Sequence, residues 1–118
     1  MYLHAILNNS LFLIPVTTGS IFIIVGLIMY KFPPKKINKL YGYRTNKSMK
    51  SQQHWDFSQV FAAKQMIILG FCLALSSIIG LFYFPEEDIG AAIGLSLLII
   101  VCIILVVRVE RAIKLKFD

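Results

Sequence analysis

Charge is missing from three long stretches of this sequence: residues 11–30, 65–84 and 89–107 contain no Asp, Glu, Lys, Arg or His. Proton- and cation-coupled transporters place an ionisable group at membrane depth, where its cost is accepted only for function. Its absence argues against a small multidrug transporter of the kind that uses an intramembrane Glu. Cysteine is scarce, and Cys72 and Cys102 both fall inside the uncharged stretches. A thiol there acts as a small hydrophobe with poor access to oxidising catalysts, so both read as packing residues rather than a disulfide. With no His or acid beside them, no metal set is expected, and no cofactor. Acidic residues are few, six against twelve Lys and Arg, and none precedes Asp56.

What the uncharged stretches do have is length. Leu11–Tyr30, Gln65–Phe84 and Ile89–Val107 are apolar runs of about 20 residues, which at helical rise match the roughly 30 Å hydrocarbon core of a bilayer. The expected fold is an all-α integral membrane protein with three antiparallel transmembrane helices, occupying residues 1–118 as one membrane domain with no separate soluble domain. Met1–Ser10 has no basic region and the first run is too long for a cleavable signal peptide, so the first span is expected to stay. Lys31, Lys35, Lys36, Lys39, Arg44, Lys47 and Lys50 follow the first run, whereas Glu86, Glu87 and Asp88 join the second to the third. By the positive-inside rule the basic loop and the tail from Arg108 are cytoplasmic, with the N-terminus outside, in a bacterial inner membrane. The net charge of +6 therefore reports topology, with membrane lipids as its counter-charges, and no nucleic-acid partner is expected.

Small residues recur at four-residue spacing, as Gly70 with Ala74, Ser76 with Gly80, and Gly90 with Gly94. Such pairs let helix backbones approach closely in lipid. They predict packing of the second span on the third, ahead of an oligomer face, across a connection of about five residues that Pro85 opens. Pro15 and Gly19 predict a local bend early in the first span, with Thr17 and Thr18 bonding freed carbonyls.

The loop of residues 31–55 is the most specific part. Phe32-Pro33-Pro34 cannot continue a helix. Lys35–Leu40 is amphipathic, with Ile37 and Leu40 placed to touch the interface. Tyr41-Gly42-Tyr43-Arg44-Thr45 follows, then Ser48, Ser51 and Trp55. Gly42 suggests a turn that needs backbone freedom. Arg44 is the one guanidinium among the loop's lysines, fit either for bidentate contact with a ligand or for clamping backbone carbonyls. Ser48 and Ser51 are candidate N-caps of a second helix that starts near Ser51 and projects beyond the membrane. Ser51, His54, Ser58 and Gln65 then share one stripe, a polar groove or a solvated face. Trp55 reads as an interfacial anchor or a wall for whatever Arg44 holds.

This combination, Pro33-Pro34 after a span, Gly42-Tyr43-Arg44-Thr45, Ser48, Ser51 and Trp55, resembles the SdpI family of bacterial membrane proteins over roughly residues 16–84. Ser58-Gln59 stands where that family commonly shows Ala-Asn. The resemblance implies a membrane-embedded binding protein; the family's best-known member gives immunity to a secreted toxic peptide and holds a transcriptional repressor at the membrane. Tyr41, Gly42, Tyr43, Arg44, Thr45, Ser48, Ser51, His54, Trp55 and Ser58 are the candidate ligand-binding residues, for a toxic peptide, a lipid headgroup or a regulatory protein. The alternative is an accessory subunit packed into a larger complex by its small-residue faces, and an oligomer is possible. No catalytic residue is assigned: His54, Asp56 and Arg44 are imaginable as acid, base and anion clamp, but no spacing marks a nucleophile or phosphate loop.

Overall fold

The computed structural model describes residues 2–118, and the described residues form helices joined by irregular segments, with no strand. In chain order these are α1 (Tyr2–Leu7), α2 (Ser10–Lys31), α3 (Gln52–Ser76), α4 (Ile79–Phe82) and α5 (Glu87–Phe117). Three helical stretches are long and apolar enough to cross a bilayer, namely Ser10–Lys31, Gln52–Phe82 and Glu87–Phe117. Their outward surfaces carry Ile21, Leu27, Phe71, Leu75, Ile99 and Ile103, all exposed, which is stable only in lipid. The chain is a multi-pass membrane protein of three antiparallel spans.

Helix length sets what lies outside the hydrocarbon. The 31 residues of α5 extend about 46 Å at 1.5 Å per residue, against a core of roughly 30 Å. The excess emerges at the basic end, where Arg108–Phe117 continues as helix beyond the expected Val107 boundary. It runs beside the foot of α3, and the two are joined through buried Ala62, Val109 and Ile113. The tail is thus a helical extension packed on α3. Phe57, Phe61, Leu105 and Phe117 pack around that contact, and burying them is what keeps the extension helical.

The small residues serve the first span, which corrects the expected pairing of second on third. A Cβ on Gly19 would lie 2.7 Å from the Gly70 oxygen and 2.7 Å from the Ala74 nitrogen, so the α2 and α3 backbones touch directly. Gly80 lies against the backbone of Phe12, and Gly94 against Ile14. α2 is the element that α3, α4 and α5 all pack on. In lipid, where apolar side chains gain little by leaving the solvent, close backbone approach is the main source of cohesion.

Other details differ from expectation for local reasons. Cys72 and Cys102 are on the outward surface, not packed inside, because the inner positions are taken by glycine and alanine. α2 runs unbroken through Pro15; Thr17 and Thr18 bond the Leu13 and Ile14 carbonyls, four residues back, at 2.5 Å each. The second span breaks at Ser76–Ser77, whose hydroxyls return to the Leu73 and Ala74 carbonyls. At the acidic end, buried Asn9 caps α2 by accepting from Leu11 N, while its Nδ2 donates to the Gly80 and Tyr83 carbonyls at 2.9 Å each. Tyr2 adds a hydroxyl bond to the Leu81 carbonyl.

Gly70→Leu is expected to lower stability by about 2 kcal/mol or more, since overpacking costs about 1–3 kcal/mol and the obstructing atoms are backbone. Cys102→Ala should stay within about 0.5 kcal/mol. Reversible unfolding of the purified protein by SDS measures both, and equal effects would refute the α2–α3 contact.

Candidate functional site

Residues 32–51 form no helix, and their backbone must find partners where the chain leaves the bilayer. Pro33 and Pro34 stop α2, and the Pro34 carbonyl accepts from Trp55 Nε1 at 2.7 Å. Trp55 is 0% exposed. It is therefore neither an interfacial anchor nor a wall for a ligand on Arg44; the loop folds back over the foot of α3 and encloses the ring. Gln52 Nε2 reinforces the fold-back by donating to the Lys35 carbonyl at 2.6 Å.

One turn further along α3, Gln59 pairs with the loop like a neighbouring strand. Its Oε1 accepts from Tyr43 N at 2.6 Å and its Nε2 donates to the Tyr43 carbonyl at 2.7 Å. The approach requires Gly42, whose φ is +114° and where a Cβ would meet Gln59 Oε1 at 2.5 Å and Pro34 Cγ at 2.8 Å. Ser58, fully buried, donates to the Trp55 carbonyl and accepts from Gln59 Nε2 at 3.3 Å, which steadies the amide.

The other side of the loop is held by α5. Tyr43 Oη and Thr45 Oγ1 both donate to Glu110 Oε2 at 3.0 Å. Burial, then the hydrogen bond to Glu110 and its charge, push the Tyr43 phenol well above its ordinary value. Ser48, 0% exposed, accepts from Thr45 N and donates to the Tyr43 and Thr45 carbonyls. Ser48 thus closes the turn before α3, and Ser51 alone is the N-cap, accepting from His54 N at 3.1 Å. His54 Nδ1 lies 2.6 Å from Ser51 Oγ, and its ring stacks on Phe117 with centroids 4.1 Å apart. The stripe Ser51, His54, Ser58, Gln65 faces neighbouring groups, not an open groove, and Gln65 Oε1 accepts from Arg108 Nε at 2.7 Å.

Two candidates stay at the surface. Arg44 is exposed and donates to the Lys39 carbonyl, the clamp geometry. Tyr41 donates to the Phe32 carbonyl at 2.7 Å, and Asn38 Oδ1 accepts from its backbone. Beside them, Tyr41, Gly42 and Tyr43 close one side of a crevice of about 250 Å³ whose other walls are Val25 and Met29 of α2, Met66 of α3 and Leu105 of α5. Leu40, 94% exposed, stands at its edge.

The description of the SdpI/YfhL protein family matches residues 35–109. The chain belongs to this family. The match begins after the first span and runs through the third as far as Val109, unlike the 16–84 that the loop motif suggested, and Val109 is buried against Ala62 at the foot of α3. The uncharacterized protein YfhL of Bacillus subtilis (strain 168) is 35% identical over 98 residues, covering 82% of this chain and 83% of that protein. No solved structure matches.

Sequence reasoning named Pro34 as a helix stop and Gln59 as a departure from the family pattern but assigned neither a holding role, and it missed Glu110 at the site altogether; these three do most of the holding. Gln59 carried a signal, a polar residue one turn from a tryptophan on an otherwise packed face; Glu110 was hidden among tail cations. Gln59→Leu leaves the Tyr43 N–H without its acceptor, a loss of about 1–3 kcal/mol. Tryptic cleavage after Arg44 and Lys47 should then accelerate by roughly fivefold or more; unchanged cleavage would refute the clamp.

The phenol makes a second prediction. A raised pKa in the folded state means that the neutral form's stabilisation is complete below about pH 10, the unfolded value, and is lost as pH rises beyond it. In an ultraviolet titration one of the five tyrosines should ionise after the rest, and Tyr43→Phe should remove that late component.

Proposed function

We propose that this protein is an immunity-type binding module of a bacterial inner membrane, taking the apolar part of a membrane-inserting toxic peptide into the crevice beneath the signature loop. The observation that carries the reading is the crevice itself: the loop segment Tyr41–Tyr43 and all three spans wall it. Two of its lining residues are methionines, which adapt to irregular apolar shapes. Exposed Arg44 and Leu40 flank the loop segment with a cation and an apolar side chain. Family membership supports an immunity-like role.

The basic loop lies on the cytoplasmic side and the acidic connection outside, by the distribution of Lys and Arg. Binding would work by holding the peptide before it completes a pore. The clasp by Gln59 and Glu110 keeps the loop in its bound shape beforehand, which reduces the ordering cost of association. A binding role is supported by the dispersal of His54, Asp56 and Arg44, each engaged with a different neighbour, Phe117, Gln52 and the Lys39 carbonyl. The accessory-subunit reading draws less support, since Gly90 and Gly94 face Leu11 and Ile14 within the chain.

A strain lacking the gene, challenged with medium conditioned by the wild type, should lose tolerance that the wild-type protein restores. Leu40→Glu, at a residue with almost nothing to lose in folding, should fail to restore it at normal abundance, and Arg44→Ala should restore it partially. Full restoration by both variants would refute the site, and a deletion strain as tolerant as its parent would refute the immunity role.

A further inference from the structure

A second face of the same end has no part in the loop or its crevice. Between the foot of α3 and the end of α5 lies an open groove of about 590 Å³ floored by Phe57, Val60, Phe61 and Phe117. Phe57 and Phe61 stack at 5.7 Å, and Phe117 meets Phe57 edge-on at 5.9 Å. On the far side of Phe61 a second hollow of about 390 Å³ is lined by Arg108, Arg111 and Leu115. Neither hollow shares a lining residue with the crevice.

The chemistry of this face is an aromatic floor within a cationic rim. Lys64 and Lys116 border the larger groove, the latter with Nζ 5.2 Å from the Phe57 ring, and Arg108 and Arg111 border the smaller. Glu110 is turned to Tyr43 and Thr45, and Asp56, at the rim, accepts from Gln52. Depth is fixed as well: Lys64 Nζ lies 6.0 Å from the Tyr30 ring, next to the last residue of α2, and Arg108 is tied to Gln65 at the foot of the span. Lys64 and Arg108 therefore stand at the level of the leaflet phosphates, with the apolar floor running away from the span below them.

We infer that this face is a binding site for an anionic phospholipid of the surrounding bilayer, with the phosphate between Lys64 and Lys116 and an acyl chain across Phe61. An anionic amphiphile satisfies both halves of the surface, and membrane lipid is the one that is always beside Lys64. The inference is independent of the immunity reading.

The test is native mass spectrometry of the purified full chain, titrated with phosphatidylglycerol or with phosphatidylcholine of the same acyl chains. Each cation near an anionic lipid contributes about fivefold in affinity, so with Lys64 and Lys116 phosphatidylglycerol should bind roughly twenty-five-fold tighter. Lys64→Gln with Lys116→Gln should bring the two lipids near parity, whereas Lys35→Gln with Lys36→Gln, equal in charge but on the loop, should leave the preference intact. Equal binding of both lipids, an equal loss in the loop variant, or full competition by soluble glycerophosphoglycerol would overturn the site. So would a second copy or an acidic peptide held on these residues in place of lipid.

Discussion

The bond pair between the Gln59 side-chain amide and the Tyr43 backbone is the constraint on which the basic end depends. A loop that leaves a bilayer after two prolines has no helix to satisfy its amides, and an unpaired buried group costs about as much as a lost hydrogen bond. Gln59 supplies donor and acceptor together, which fixes not only the distance but the rotation of the Tyr43 peptide. That rotation aims Tyr43 and Thr45 at Glu110, brings Pro34 over Trp55, and leaves Tyr41 and Arg44 facing outward. A Gly at 42 follows from the same pair, since any side chain there would occupy the amide's place.

The apolar runs made the spans legible because bilayer thickness acts on every residue in them. The N-cap at Ser51 was legible for a similar reason: a serine ahead of a helical pattern has one common use. Which helices touch was not. Gly70 and Ala74 announce a close contact without saying with what, and the choice of Gly19 as partner rests on two backbones that no periodicity compares. The continuation of α5 to Phe117 was hidden too, because its charges signalled only a cytoplasmic tail, while the apolar set Leu105, Val109 and Ile113 is a stripe at four-residue spacing that gains meaning beside Ala62.

At the candidate site, residue types were legible and their duties were not. Trp55 at a membrane boundary commonly lies in the headgroups; here α3 starts so far below the boundary that the ring falls beneath a loop. Most of the signature is occupied in holding itself together, so the outward chemistry of the loop is concentrated in Leu40, Tyr41 and Arg44. The internally bonded signature also depends on α5: without Glu110 the hydroxyls of Tyr43 and Thr45 would have no common acceptor.

At the opposite end, Asn9 joins the start of α2 to the carbonyls of Gly80 and Tyr83, close to where the chain turns into α5. The first two spans are thus stitched by side-chain bonds at the end opposite the clasped loop. The stitch and the clasp stand towards opposite ends of a body 54 Å long. The molecule is therefore fastened like a strap with a buckle at each end, Asn9 at one and the Gln59–Glu110 clasp at the other, so that loosening either leaves the other in place.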